Sequence, residues 1–277
     1  MSAENVRVFH VSDLHFGRPA VPAQIEAIEA AIQDEKFDVV AVSGDLSQRS
    51  RSGEFQRASV FLRDAGKVSQ TIVVPGNHDV AWWHAPLGLG DRSKIYATYR
   101  EFVSPELEPA LYVPGAAFVG LNTSHGITRR TLTWNLRDLS IIGDLKKKQF
   151  EYAATAFSRA KKTDARVIVM HHNPVKGELS QRHGLKRTKT ILGTFAEMGV
   201  DLILCGHDHQ ESVHFIEHTR KGTVIATAGT VSSRSRGGRP SSVNVIDIRP
   251  DEIEVHTRVW SRDARNFVAG PHRCFKR

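Results

Sequence analysis

Five short motifs hold most of the chemistry-bearing residues of this chain: Asp13-Leu14-His15, Gly44-Asp45, Gly76-Asn77-His78-Asp79, His171-His172 and Gly206-His207-Asp208-His209. Each stands just after an apolar run. Their carboxylate, imidazole and amide donors suit Mn, Fe and Zn, whereas thiolate would select softer metals. Two divalent ions about 3.5–4 Å apart acidify a water held between them and clamp the oxygens of a phosphoryl group. The motifs offer ligands for such a pair, with one carboxylate shared. The chemistry they point to is hydrolysis of a phosphate ester at neutral pH. Taken singly they are weak signals. Asp45 behind Ser43-Gly44 would serve as an ordinary turn or N-cap residue. Asn77 after Pro75-Gly76 would serve an Asx-turn. Five motifs in this order are hard to reconcile with separate turns.

The elements that must position these residues alternate along the chain. An apolar strand is expected at 6–11, a helix at 22–35 with Ile25, Ile28 and Ile32 on one face, a strand at 37–43, a helix at 53–65 and a strand at 71–75. This βαβαβ start predicts a parallel sheet with right-handed crossovers. Asp13, Asp45 and Asn77 then fall at the carboxyl ends of its strands, where α/β sheets bind ligands. The middle is less regular. Helices are expected at 91–102, 144–161 and 188–198, short strands at 111–113 and 117–121, and strands at 166–170 and 201–205 that deliver His171 and the His207–His209 motif. His171 and His172 are adjacent, so on an extended strand they point to opposite sides, and only one should be the main ligand. From 212 onward the segments 212–218, 223–227, 242–248 and 252–259 are β-rich with turn signals between them. They predict a second, largely antiparallel sheet packed on the first. Residues 1–260 are expected to form one domain. Residues 261–277 look like a basic tail, with Phe267 and Phe275 able to pack.

The motif set resembles the calcineurin-like metallophosphoesterase superfamily over about residues 6–257. The resemblance implies a four-layer α/β/β/α sandwich of two mixed sheets flanked by helices, with a dinuclear metal site at the strand C-terminal ends. It implies two divalent metal ions, of Mn, Fe or Zn type. Asp13, His15 and His209 would bind the first, Asn77, His171 and His207 the second, and Asp45 would bridge them. His171 is favoured over His172 by the Met-His-x-x-Pro form of the family motif. His78 would stand beside the scissile phosphate as an electrophilic or proton-donating group, and Asp79 would orient it, both as catalytic residues. The implied reaction is in-line attack on phosphorus by a hydroxide held between the metals.

Among superfamily branches, His15, the Asn77-His78 pair and the 206–209 motif are most similar to class III cyclic-nucleotide phosphodiesterases and related bacterial diesterases. The leading expectation is a phosphodiesterase, with a nucleotide among its candidate substrates. Hydrolases of UDP-diacylglucosamine share the first two motifs, but their third typically has Arg where this chain has His78. An Mre11-like nuclease usually needs capping regions that 277 residues hardly accommodate. A non-catalytic scaffold would be favoured by a lost ligand, and none is lost. Substrate contacts are expected from loops: Arg18 after the first motif, Trp82 and Trp83 after the third, and His125 and His183 in polar loops.

Composition fits these expectations. Apolar residues make up 40% of the chain, enough for a sizeable core. No run of 18 apolar residues suggests a membrane-spanning helix, and the first residues lack the pattern of a signal peptide. Cys205 and Cys274 look unrelated, which fits a reducing compartment, and the cytoplasm is the expected location. The net charge of +8 implies an anionic partner. Part of that charge lies in loop arginines such as Arg234, Arg236 and Arg239. The phosphate-ester substrate is the expected partner. No dedicated nucleic-acid module is recognisable, and the basic tail leaves room for peripheral contact with an acidic membrane. The sequence leaves oligomeric state open.

Overall fold

A computed structural model describes residues 4–126, 142–178, 184–218 and 222–277. Two six-stranded sheets form its centre. The first runs β12-β11-β10-β1-β2-β3 and the second β4-β5-β6-β7-β9-β8. Their strands are β1 Val6–Val11, β2 Val39–Val42, β3 Gln70–Val73, β4 Ala110–Val113, β5 Ala116–Leu121, β6 Ala165–His172, β7 Leu202–Gly206, β8 Ser212–Ile216, β9 Thr223–Thr227, β10 Ser242–Ile248, β11 Glu252–Ser261 and β12 Asn266–Lys276. The helices are α1 Pro22–Asp34, α2 Ser52–Ala65, α3 Ala97–Phe102, α4 Lys147–Ser158 and α5 Thr188–Glu197.

Side-chain alternation explains the layering. Along a strand successive side chains face opposite sides. On β1 and β2, Val8, Val39 and Ala41 face the space between the sheets. Phe9, Val11, Val40 and Val42 face the other way, onto Ile28 of α1 and Phe55 and Phe61 of α2. The second sheet repeats the scheme. Phe118, Val167 and Leu204 meet the first sheet, while Val119, Ile168 and Met170 pack under Phe157 of α4 and Ile191 and Phe195 of α5. The result is the α/β/β/α sandwich of two mixed sheets that the family resemblance implies.

Three details differ from the sequence reading. The expected second antiparallel sheet at the C-terminus does not form. β10, β11 and β12 extend the first sheet, with β10 antiparallel to β1 in the register Val6↔Ile248. β8 and β9 instead join the second sheet, whose centre β5-β6-β7-β9 is parallel. Period-2 patterning reports that a strand exists, and it does not report its neighbour. Secondly, the segment read as a tail from 261 is largely strand β12, in register with β11 from Glu252↔Lys276 to Ser261↔Asn266. Phe275 packs toward the inter-sheet core and Phe267 toward the helical layer. The basic residues that suggested a solvated end sit on an edge strand, where charge discourages pairing with another chain. Thirdly, the helix expected at 91–102 is a single 3₁₀ turn at Lys94–Tyr96 followed by the short α3.

Ile28 is fully buried between α1 and the first sheet. Ile28→Ala should therefore cost about 2–5 kcal/mol. In urea unfolding this should appear as a lower midpoint with an unchanged slope.

Candidate metal centre

The ends of five strands converge on one edge of the sandwich. β1 leads to Asp13 and His15, β2 to Asp45, β3 to Asn77 and His78, β6 ends on His171 and His172, and β7 leads to His207 and His209. The first two loops zip together through backbone hydrogen bonds. Asp13 N–H donates to Gly44 O at 3.0 Å, His15 N–H to Asp45 O at 3.0 Å and Phe16 N–H to Leu46 O at 2.7 Å. The backbone here is strained. Asp13, His15, Asp45, His207 and His209 all have positive φ, between 45° and 72°. Non-glycine residues seldom adopt this region, and clusters of such residues mark functional sites. Gly76 shows how closely the loops approach, because a Cβ there would collide with the backbone nitrogen and carboxylate of Asp45.

The donor atoms form two adjoining groups. One atom each from Asp13, His15, Asp45 and His209 lies within 4.8 Å of the others, and His171, His172 and His207 form a second such group. In the first, His209 Nε2 is 3.1 Å from Asp13 Oδ1 and 3.1 Å from His15 Nε2. In the second, Asn77 Oδ1 is 3.1 Å from His171 Nε2 and 3.0 Å from His207 Nδ1. Asp45 Oδ2 stands between the groups, 3.8 Å from His15 Nε2 and 3.4 Å from His171 Nε2. His171 Nδ1–H donates to Ser43 O at 2.8 Å and His209 Nδ1–H to Arg234 O at 3.0 Å. These bonds aim the Nε2 lone pairs of both rings at the other acceptors. Buried Asp13 Oδ1 has no hydrogen-bond donor. So many buried acceptors facing one another require cations or protons among them. The donor set fits two divalent metal ions with a shared carboxylate.

The electrostatics agree. Burial alone would raise both carboxyl pKa values. The imidazoles of His209 and His15 around Asp13, and of His171 and His78 around Asp45, outweigh burial and hold both carboxyls well below the usual carboxylate range. Burial would lower the pKa of His171, but Asp45 reverses this and raises it to about 9. Burial and the neighbouring His171 push His207 down to about 3.

His172 also reaches this cluster. Its Nδ1 pairs with Thr123 Oγ1 at 2.7 Å, its Nε2 has no hydrogen-bond partner, and its ring lies 4.5 Å from that of His207. His171 faces Asp45, Asn77 and His207 directly. Asp79 stands elsewhere than expected. Its carboxylate does not contact the His78 ring. It accepts N–H bonds from Leu46 at 3.1 Å, Ser47 at 2.7 Å and Gly76 at 2.9 Å, together with the Ser47 hydroxyl at 2.9 Å. It clamps the Asp45 loop onto the Asn77 loop. Burial and the Asp45 charge push its pKa up to about 7, against the pull of these donors.

What holds His78 is the backbone of Gln48, whose carbonyl lies 2.8 Å from His78 Nδ1. The His78 amide donates to Asp45 Oδ1 at 2.8 Å. His78 Nε2 faces Arg234, with Nη1 at 3.2 Å, and the same guanidinium donates to Gln48 Oε1 at 3.0 Å. Arg234 was not singled out from its neighbours in the sequence. Its only signal was membership of a basic, Gly/Ser-rich loop far along the chain. Beside His78 opens a cavity of about 560 Å³, lined by Gln48, Arg49, Ser50, Arg51, Trp82, Trp83 and Arg234 among others. Trp82 and Trp83 are therefore brought to the site. Arg18 lines a smaller adjoining cavity with Gln48, Arg49 and Arg51. His125 does not join them, because it lines a different cavity with Tyr96, Glu108 and Tyr152. His183 lies outside the described residues.

A family model described as calcineurin-like phosphoesterase matches residues 6–211. The chain belongs to this family. Family membership supports metal-dependent hydrolysis of phosphoric esters. Among solved structures, the purple acid phosphatase PPD1 of yellow lupin seeds superposes with a TM-score of 0.72 at 11% identity, over 99% of this chain and 54% of that one. This chain thus spans about half the length of the lupin enzyme. PhoD superposes with a TM-score of 0.65 at 12% identity, over 100% of this chain and 69% of that one. GAP50, the anchor in the inner membrane complex of Plasmodium, gives 0.57 at 15% identity, over 92% of this chain and 84% of that one. At these identities the likeness is one of fold. No protein with a curated description matches the chain in sequence. Among the described residues, no helix is long and apolar enough to cross a membrane.

Asp79 and His78 should separate in a mutational test. Asp79→Ala leaves three buried N–H groups without an acceptor, at a cost of about 3 kcal/mol or more. It should lower both stability and metal retention. His78→Ala should leave both nearly intact. Chemical unfolding and metal analysis of the purified variants would check this.

Proposed function

We propose that this family member is a phosphodiesterase that uses two divalent ions, of Mn, Fe or Zn type, and that it works in the cytoplasm. The observation that carries the diester preference is the cavity opening directly from His78. At about 560 Å³ it has room for a second ester substituent, and ligand cavities commonly span about 300–1,000 Å³. Its walls divide by chemistry. Arg49, Arg51 and Arg234 suit anionic groups, since guanidinium binds phosphate oxygens bidentately. Trp82 and Trp83 offer rings on which a nucleobase could stack. A nucleotide diester matches both halves.

In this reading Asp13, His15 and His209 hold one ion, Asn77, His171 and His207 the other, and Asp45 both. When bound, the ions supply an acidified water and neutralise charge at the phosphoryl group. His78 and Arg234 flank the reacting phosphate. Because Nδ1–H of His78 is held by Gln48 O, its Nε2 is the atom that faces substrate. An incoming phosphate draws Arg234 from Nε2, which then takes a proton from solvent water and delivers it to the leaving oxygen. Both groups act where charge develops, so their effect falls mainly on the transition state. The cytoplasmic assignment rests on Cys205 and Cys274, which are both free thiols.

A second reading is favoured by the loop after Trp82. Trp83, which lines the cavity, is 49% exposed, and Leu87 and Leu89 further along the same segment are 47% and 71% exposed, an apolar stretch suited to a lipid chain. With three arginines lining the cavity, that stretch would fit a lipid-linked pyrophosphate.

The test is hydrolysis of bis(p-nitrophenyl) phosphate against p-nitrophenyl phosphate by Mn²⁺-reconstituted protein. Diester turnover should exceed monoester turnover. Asn77→Ala should abolish it, and His78→Ala should lower kcat about 10²–10³-fold. A preference for the monoester overturns the diesterase reading. No turnover of either ester by protein that retains its metals favours the pyrophosphate reading.

A further inference from the structure

The outer face of the first sheet carries a second convergence of donors, on β10, β11 and β12. These strands supply none of the candidate ligands described above. Antiparallel register places Asp247 opposite Glu254 across β10 and β11, and His272 opposite His256 across β11 and β12. Ile253 and Val255 point into the inter-sheet core. Strand alternation therefore turns Glu254 and His256 outward.

The geometry goes beyond proximity. The rings of His256 and His272 stack at 4.3 Å with 9° between their planes, so one ring must turn before both Nε2 lone pairs can meet a single ion. Both Nε2 atoms face the same oxygen, Glu254 Oε2, at 3.2 Å and 3.9 Å. Asp247 Oδ2 lies 3.5 Å from His256 Nε2. The opposite oxygen of each carboxylate faces an arginine. Arg249 Nη1 is 3.0 Å from Glu254 Oε1, and Arg7 Nε is 3.7 Å from Asp247 Oδ1. Each carboxylate is thus split, with one oxygen anchored by a guanidinium and the other presented to imidazole. One donor atom each from Glu254, His256 and His272 lies within 4.8 Å of the others.

We propose that Glu254, His256 and His272, flanked by Asp247, bind a divalent transition-metal ion of the zinc class, apart from the hydrolytic centre. Two imidazoles with a carboxylate form a donor set that zinc accepts, with a further position open to water or to Asp247. One ligand histidine stands on β11 and the other on β12, so the ion fastens the edge strand to the sheet. The arginine contacts preset the carboxylate oxygens, as groups behind metal ligands do in established sites. The competing arrangement is a metal-free one, in which protonated imidazoles simply neutralise the carboxylates.

The experiment counts zinc in the full chain. Wild-type protein and the His256→Ala and His272→Ala variants are dialysed against the same low free Zn²⁺ and analysed by mass spectrometry of the metal. The wild type should hold one more zinc per chain than either variant, while all three hydrolyse the p-nitrophenyl esters equally. Apparent affinity for that extra zinc should fall at least about tenfold in each variant. As a measurement independent of mutation, ¹H–¹⁵N spectra of the wild-type imidazoles should show the Nε2 signals of His256 and His272 shifting together on Zn²⁺ addition. Equal zinc content in all three proteins, or ring signals unmoved by Zn²⁺, overturns the proposal and leaves the pair as a metal-free ion cluster.

Discussion

The rest of the structure depends on holding like against like. Two carboxylates, an amide oxygen and four imidazoles present acceptor atoms to one another at about van der Waals distance or closer, inside a largely buried pocket. Left to itself such a cluster would spread apart or draw in water. Here it is confined by several independent means. Five of the candidate ligand residues are locked in left-handed backbone conformations. The loops carrying Asp13 and Asp45 are joined by backbone hydrogen bonds. Asp79 gathers three amides from two loops onto one carboxylate. Backbone carbonyls orient His171 and His209 from behind. Unfavourable crowding of this kind is what a cation relieves, and the scaffold's rigidity keeps the relief from leaking into rearrangement.

That rigidity has its own origin. The loops spring from strands buried on both faces, β1, β2, β6 and β7, and the side chains of these strands fill the inter-sheet core and the two helical layers at once. Movement of any ligand loop at its base would disturb two packed layers. The side of the cavity beside His78, where we propose substrate binds, is built differently. Arg49, Arg51, Trp82, Trp83 and Arg234 come from connecting segments, and several remain partly exposed. In the proposed reading, reaction chemistry thus rests on the core, and selectivity on segments that can change without disturbing it.

Much of this was legible in the sequence because strand ends leave a local mark. An apolar run followed by Gly-Asp, Asn-His or Gly-His-Asp-His identifies both the strand and the side chains at its end. The structure brings those side chains together. What escaped notice depends on long-range pairing. Nothing near residue 245 states that β10 lies beside β1 and not in a separate sheet. Arg234 meets His78 across 156 residues of chain, and its own surroundings resemble any basic loop. The family resemblance assigns Asp79 to His78, while the fold offers its carboxylate buried amides. His125 sits in a polar loop like those that do line the site, and only the path of the chain sends it to another cavity.

The strand order has a consequence for how the molecule is made. β1 is flanked by β2 on one side and β10 on the other, so an early strand waits for one made after the whole second sheet. Until that return, one edge of β1 is unpaired in a growing chain, next to the loop that carries Asp13 and His15. Long-range closure of this kind slows folding, and unpaired strand edges invite association with other chains. The N-terminal half, with three of the five motifs, therefore depends for its own completion on a strand that follows the whole second sheet in the chain.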